Sequence, residues 1–459
     1  MAEKMMQAKA GELVAKQTIP AGYKQTEMGV IPEDWEVYFL HELANFGGGT
    51  TPLRAKYERY YQCGIHPWVK TLDLNNSVIS ITDECVTEKA LQETSLKLHD
   101  IGSVLVAMYG GFNQIGRTGL LNVNAAINQA LVAIIPKKGS LDSKYLLHNL
   151  NFNVDYWKGI ASSSRKDPNI TSNDVKAFKL PIPTIEEQKA IATAVSNSDA
   201  LIVSLEQLIA KKQAIKTATM QQLLTGRTRL PQFALHPDGT PKGYKSSELG
   251  QIPEDWKILS IGQDAALKAR IGWQALTTKE YQDSGEVFLV TGTDFDAGLV
   301  MWDRCCYVSE WRYKQDPNIQ LREHDVLITK DGTIGKVGYV SALDKPATLN
   351  SGVFVIRSKK NSFVPRYLFY VLTSQLFNEF MNQITAGSTI THLYQKDFVH
   401  FEFPAPNIEE QTAIATILSD MDSELSALEQ KLTKARDLKQ GMMQQLLTGR
   451  IRLPLPQEA

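Results

Sequence analysis

The side chains in this sequence best suited to chemistry are cations, hydroxyls and amides set among glycines. In the N-terminal half, Gly47-Gly48-Gly49-Thr50-Thr51-Pro52-Leu53-Arg54 is a polar turn that ends in a cation, and His66-Pro67-Trp68-Val69-Lys70-Thr71 follows it. Arg117 closes a second glycine turn, and Arg165 and Lys166 lie in the serine-rich stretch 159–169. In the C-terminal half, Lys268-Ala269-Arg270-Ile271-Gly272-Trp273-Gln274 and the stretch from Lys330 through Thr333 to Lys336 hold comparable places. Arg and Lys neutralise phosphates, and Thr, Ser, Gln and Arg reach base edges. The candidates for nucleic-acid contact are therefore Thr50, Thr51, Arg54, Lys70, Arg117, Arg165, Lys166, Arg270, Trp273, Gln274, Lys330, Thr333 and Lys336. The competing structural reading is that the glycines only shape turns, and that Trp68 beside Pro67 is a core anchor.

No catalytic pattern accompanies these loops. There is no GxxxxGK[ST] phosphate loop, HExxH, GxSxG or zinc-deaminase pattern. The [DNS]PP[YF] tetrad of amino-methyltransferases is missing, and Asp167-Pro168-Asn169 and Asp316-Pro317-Asn318 resemble it only superficially. The carboxylate pairs Glu33-Asp34 and Glu254-Asp255 sit in repeated IPEDW segments, where the adjacent Trp indicates a packing corner. Cys63, Cys85, Cys305 and Cys306 form no CxxC pair and read as reduced thiols, so no metal site is expected. No apolar run reaches the roughly 18 residues of a membrane span, and the N-terminus has no signal-peptide core, which points to the cytoplasm.

The net charge of −1 over 459 residues bears on partners. A chain that binds nucleic acid unaided usually has a basic excess. Either this chain does not bind nucleic acid, or its basic residues are local and a partner supplies the rest of the phosphate neutralisation.

Two segments are written twice. Residues 180–231 and 403–454 align without a gap and about half the positions are identical. GYKQTEMGVIPEDW from Gly22 is matched by GYKSSELGQIPEDW from Gly243. Each long repeat opens on a cap followed three residues later by Glu: Thr184 with Glu187, Asn407 with Glu410. Gly226 and Gly449 stand where left-handed C-terminal caps fall, so each repeat predicts a helix of about 40 residues, about 60 Å long. Ile414, Leu418, Met421, Leu425, Leu428, Leu432 and Ala435 form a coiled-coil stripe. Ile191, Val195, Ile202, Leu205, Ile209, Ile215 and Leu223 form a less regular one, interrupted by Ser198 and Lys212. Such helices need a partner: the nearest is the other copy, running antiparallel, and the competing reading is that each helix packs on its own domain. The identical MQQLLTGR ends leave Gln221, Gln222, Arg227, Gln444, Gln445 and Arg450 largely off the stripe, as a partner-docking surface used twice.

The expected fold is α+β: two mixed α/β domains joined by two long antiparallel helices forming a coiled coil. The boundaries are an N-terminal extension at 1–21, a first domain at 22–183, a helix at 184–227, a linker at 228–242, a second domain at 243–406, a helix at 407–450 and a tail at 451–459. Each domain shows an apolar strand running into a glycine turn (Gly102–Gly111; Asp325–Gly332), then a second strand (Ala130–Ile135; Val353–Arg357), then a helix signal (Lys144–Leu147; Arg366–Phe369).

Two divergent domains, each opened by GY…[ML]G.IP.DW and closed by P.P…EEQ..IA with QQLLTGR.RLP, resemble the specificity subunit of type I restriction–modification systems. The resemblance spans nearly the whole chain after the first 20 or so residues. It implies a non-catalytic protein whose two target recognition domains each read one half of a split, asymmetric site on double-stranded DNA. It implies repeated helices that set the unread spacer and dock two modification (methyltransferase) subunits, joined by restriction (translocase and nuclease) subunits. S-adenosylmethionine, ATP and Mg would then be bound by those partners and not by this chain. Two other readings stay open on the residues: the specificity subunit of a two-component restriction enzyme, and a coiled-coil scaffold that does not touch DNA.

Overall fold

The computed structural model describes residues 19–162, 169–271, 276–385 and 392–454. The chain divides into two compact units, residues 1–206 with 431–459 and residues 207–430, so each unit holds one domain and half of each long helix.

The two units share a plan. In the first, a five-stranded sheet runs Ala44–Gly48, Leu131–Pro136, Val104–Ala107, Thr118–Leu121, Ser77–Ile79. Its neighbours are antiparallel except the last pair. A second sheet runs Glu84–Val86, His66–Val69, Ala125–Ile127, Leu98–His99. In the other unit the order is Ala265–Ala269, Val353–Ser358, Val326–Thr329, Val337–Tyr339, Leu299–Val300, Phe295–Asp296, beside a three-stranded sheet of Cys306–Tyr307, Phe288–Val290 and Ala347–Leu349. Both second sheets carry the same parallel pairing, Ile127 opposite Val69 and Leu349 opposite Val290.

The central strands read as unbroken apolar runs because both faces are covered. Val104 and Val106 pack toward the helix Ser143–Phe152, while Leu105 and Ala107 pack against the second sheet. Val326 and Ile328 face the helix Pro365–Leu372, and Leu327 faces the second sheet. Each helix is tied to the end of its domain by a tyrosine: Tyr145 Oη donates to the Pro181 carbonyl at 2.8 Å, and Tyr367 Oη to that of Pro404 at 2.9 Å.

The long helices span Ile185–Leu224 and Ile408–Leu446. Their caps are those expected: Glu187 N donates to Thr184 Oγ1 at 3.3 Å and Glu410 N to Asn407 Oδ1 at 2.9 Å. The reciprocal half of the capping box does not form. The Glu187 carboxylate instead takes the Trp35 indole N–H at 3.2 Å and the Arg452 guanidinium, and Glu410 takes Arg229. At Glu187 a guanidinium and an indole, and at Glu410 a buried guanidinium, outcompete a backbone amide that other groups can serve.

In each unit the two helix halves run antiparallel. Asp199 pairs with Lys439 and Glu206 with Arg436 in the first, both at 2.6 Å. Lys212 pairs with Glu424 at 2.7 Å, and Lys216 with Asp422, in the second. Ile191, Val195, Ile414, Leu418, Leu425, Leu428 and Ala435 are buried as the stripe requires. Ile215 is not; it is 42% exposed. The stripe continues from Ile209 through Lys212 and Lys216, which face acidic residues of the second helix. Ion pairs therefore replace apolar contacts in that stretch.

The IPEDW segments are packing corners: Trp35 and Trp256 are buried. Each corner holds the QQLLTGR.RLP segment of its own unit, which for the first domain is the second copy. Tyr23 Oη donates to the Gly449 carbonyl at 3.0 Å, and Tyr244 Oη to that of Gly226 at 3.1 Å. Both glycines have φ of +69°, and a Cβ on either would overlap the ring of Pro32 or Pro253. Asp34 pairs with Arg452, and Asp255 with Arg229 and Lys242, so these carboxylates are structural.

Candidate nucleic-acid interface

In both units the described parts of the loops singled out above meet at one end of the sheets, around a turn that joins the second sheet to the main one. In the first unit the turn begins at Asn128, whose Oδ1 accepts from Ala130 N at 3.2 Å. In the second it begins at Asn350, whose Oδ1 accepts from Gly352 N at 3.0 Å. Two segments bond to each turn, and a third bonds to the second of them, through matching backbone bonds. Asn128 N donates to Val69 O at 3.0 Å, Met108 N to Ala130 O at 2.8 Å, and Ile170 N to Met108 O at 3.1 Å. The counterparts are Asn350 N to Val290 O at 2.9 Å, Lys330 N to Gly352 O at 2.8 Å, and Leu393 N to Lys330 O at 2.7 Å.

A second shared device follows each parallel strand. Lys70 N donates to Asp73 Oδ2 at 2.6 Å, and Thr291 N donates to Asp294 Oδ2 at 2.7 Å. Each carboxylate closes a short 3₁₀ turn against the glycine-turn strand. Burial raises the Asp294 carboxyl, against the hydrogen bonds from Thr291 that lower it.

In the first domain the described candidates other than Arg117 make side-chain contacts around the turn and the strand that leads to it. Thr50 Oγ1 lies 2.9 Å from Ser95 Oγ, and Thr51 Oγ1 donates to Gln129 Oε1 in the Asn128 turn. Arg54 donates twice to Glu84, at 3.1 and 2.6 Å, and its guanidinium lies 4.3 Å over Tyr61 and 5.2 Å over Trp68. Lys70 Nζ is 2.8 Å from Asp83 and 3.4 Å from Glu84. Glu84 therefore holds two of the predicted phosphate contacts side by side, and the hydrogen bond from Arg54 keeps its carboxyl below the usual range. Arg117 closes the glycine turn, and among the described residues its side chain has no ion pair. Trp68 is buried, donating its indole N–H to Thr50 O at 3.3 Å, and is a core anchor.

In the second domain Lys336 holds the place of Arg117: Gly116 N donates to Ala107 O at 3.0 Å, and Gly335 N to Thr329 O at 2.9 Å. Lys336 Nζ donates to the Phe295 carbonyl at 2.5 Å. Lys330 Nζ lies 5.4 Å over the Phe354 ring, and exposed Thr333 gives its carbonyl to Thr329 Oγ1. Arg270 is a correction. It is 2% exposed and its guanidinium binds inward, Nε to Leu349 O at 2.8 Å and Nη2 to Thr348 Oγ1 at 3.2 Å. It is a core residue and makes no phosphate contact from this position. Arg165, Lys166, Trp273 and Gln274 lie outside the described residues.

Reasoning from the loops missed Asn128 and Asn350, Asp73 and Asp294, and Glu84. A signal was present for the first four. AAINQALVAI from Ala125 and ATLNSGVFVI from Ala347 align on their Asn, and VKTLD and VTGTD align on their Asp.

The proposed docking residues lie as follows. Gln221, Arg227, Gln444 and Arg450 are exposed; Gln222 is exposed, accepting from Thr228 Oγ1 at 3.1 Å; Gln445 is half-buried. The residues around them have internal work. Met220, Leu223 and Leu224, and Met443, Leu446 and Leu447, enter the domain cores. Repeat identity there is explained within the chain, and it is the outward Gln and Arg that lack an internal reason.

Among the described residues no three His, Cys, Asp or Glu side chains converge to hold a metal ion, and no helix is long and apolar enough to cross a membrane.

Comparison with known proteins agrees with this arrangement. Over 438 residues the chain is 26% identical to the putative type I restriction enzyme MjaX specificity subunit of Methanocaldococcus jannaschii, covering 94% of this chain and 97% of that one. It is 24% identical to the MjaVIII specificity subunit of the same organism, covering 92% and 94%. Its fold is similar to the crystal structure of the type I restriction–modification system S subunit from M. genitalium, with a TM-score of 0.58 at 15% identity over 90% of this chain and 96% of that one. The family described as type I restriction modification DNA specificity domain matches twice, at residues 32–217 and 253–435. A chain with two such domains, each gathering its polar loops at one end of the same pair of sheets, belongs to that family of DNA specificity subunits.

Proposed function

We propose that this chain reads a bipartite, asymmetric DNA site, one domain to each half, within a type I restriction–modification complex. The observation that carries the reading is the convergence, in both domains, of hydroxyls, amides and cations on a turn built by the same backbone bonds around Asn128 and Asn350. Similar scaffolds hold unlike side chains, which is what two different half-sites require. Thr50, Thr51, Arg54, Lys70 and Arg117 serve the first half-site; Lys330, Thr333 and Lys336 serve the second. Cations in such loops fix register on phosphates, and the hydroxyls and amides read base edges.

The chain itself is non-catalytic. Adenine methylation with S-adenosylmethionine belongs to two modification subunits, and ATP- and Mg-dependent translocation and cleavage to restriction subunits. Gln221, Arg227, Gln444 and Arg450 face outward as the surface for the modification subunits. Support comes from a cleft of about 860 Å³ in the second unit, lined by Gln221, Thr225, Arg227, Gln375 and Glu379. The complex works in the cytoplasm, where its DNA is.

The test is to express the chain with its methyltransferase partner and map methylated adenines across a genome. A split motif is expected, and replacing residues 38–179 by another such domain should change one half of it. Methylation without a split motif, or a swap that alters both halves, overturns the reading.

A further inference from the structure

One carbonyl stands at the start of each reading turn: that of Ile127 in the first unit and of Leu349 in the second. Both belong to the strand that pairs in parallel with its neighbour just before the chain crosses to the main sheet. A buried carbonyl at such a crossing needs a donor. In the first unit the backbone provides it, with Thr50 N donating to Ile127 O at 3.0 Å. That approach depends on Gly49, where a Cβ would overlap the carbonyls of both Ile127 and Asn128.

The strand register identifies the equivalent position in the other unit. Gly48 stands opposite Val132, and Ala269 opposite Phe354. Val132 and Phe354 each follow their turn Asn by four residues. The next residue along is Gly49 in one unit and Arg270 in the other. A residue with a Cβ cannot repeat the glycine's approach, and here the Arg270 side chain supplies the donor: Nε to Leu349 O at 2.8 Å, with Nη2 on Thr348 Oγ1 at 3.2 Å. The fork thus grips two successive residues next to Asn350, which begins the turn that bonds to Val290 and Lys330. Nη1 is buried and has no hydrogen-bond partner, and among the described residues no carboxylate lies within ion-pair distance of Arg270. A guanidinium buried without an anion is costly; its persistence here fits a place beneath a polyanion.

We infer that Arg270 is the positioning residue of the second reading face, doing with a side chain what Gly49 allows the backbone to do in the first, and that it sets a cation beneath that face. The inference rests on the DNA-reading function proposed above. Its consequence is that the two half-sites fail separately: Arg270 governs the second and Gly49 the first.

The test uses the full chain with its methyltransferase partner, comparing R270M, R270K and T348V by methylation motif and by salt-dependent binding to the mapped site. R270M should relax the second half of the motif and weaken binding about tenfold or more, the loss expected when a buried carbonyl is left without its donor. The first half should stay intact. R270K keeps the charge and not the fork, so it should keep the wild-type salt slope while the second half stays relaxed. T348V removes one acceptor of the fork and should relax the same half more mildly; it decides the matter if R270M does not fold. An unchanged motif in R270M, or in T348V where R270M is unfolded, overturns the inference, as does equal loss of both halves. A wild-type complex that reads no split motif would instead sink the proposed function.

Discussion

Arg452 and Glu187 are 265 positions apart in sequence and form a two-pronged ion pair, with Nη2 2.7 Å from Oε2. Arg452 follows the second long helix and Glu187 lies in the first turn of the first. In the other unit Arg229 and Glu410 repeat the pair, with Nη2 2.6 Å from Oε2. The two copies differ in exposure: the Arg229 side chain is 7% exposed and that of Arg452 38%, each against a glutamate at 2%.

That difference sets the size of the effect. Removing one member of a buried pair leaves an uncompensated charge, costing about 3–5 kcal/mol. R229M should destabilise the second unit by about that much. R452M should cost about 1–2 kcal/mol, because water reaches the arginine. Urea unfolding of the two variants checks the order, and equal losses would contradict it.

The glycines at the helix ends make a second prediction. Gly226 and Gly449 combine a left-handed backbone with contact to a proline ring. G226A and G449A should each cost about 2–4 kcal/mol, the sum of the left-handed penalty and overpacking. Limited proteolysis should show G226A opening the second unit and G449A the first.

Glu84 holds Arg54, while Lys70 keeps its closer partner Asp83, so E84Q should release Arg54 and leave Lys70 paired. Affinity for arbitrary DNA should rise while preference for the first half-site falls. The slope of log K against log salt should steepen by about one, at about 0.9 per phosphate neutralised. Arg117 has no such restraint, and R117M should lower the slope by about one. A salt titration of binding separates the two cases.

His148 gives the pH prediction. It is buried, with Nε2 2.9 Å from Ser196 Oγ and Nδ1 4.0 Å from Asp199, which also holds Lys439. Burial pushes the imidazole down to about 4, against the pull of Asp199. The unfolded chain takes up this proton near 6.5 and the folded chain only near 4, so stability is full above about 6.5 and falls as the pH drops toward 4. The loss approaches about 3 kcal/mol. H148Q should flatten the profile over that window. The second unit has Tyr370 in a like role, donating to Asp422 Oδ2 at 2.7 Å, and carries no such dependence at this site.

Much of the fold was legible because it rests on local rules. The caps at Thr184 and Asn407, the glycine ends and the apolar stripe are written at fixed spacings, and the helices form where those signals fall. The doubly buried strands announced themselves as unbroken apolar runs. The seam near Ile215 misled because period alone ranks an isoleucine above a lysine, while Lys212 and Lys216 are satisfied by Glu424 and Asp422, over 200 positions away. The same limit hid Glu84, an ordinary acidic residue until the fold sets it between Arg54 and Lys70.

The sequence by itself determined that two divergent domains alternate with two like helices, and that polar glycine turns follow the apolar strands of each domain. Repetition, periodicity and capping are properties of neighbouring residues, so they survive in one dimension. Only the tertiary structure decided which copy of QQLLTGR.RLP serves which domain, that Asn128 and Asn350 begin the turns around which the loops gather, and that Arg270 binds inward acceptors. Those outcomes depend on which distant carbonyls and carboxylates arrive beside each side chain, and a buried guanidinium goes to the acceptors that would otherwise stay unpaired.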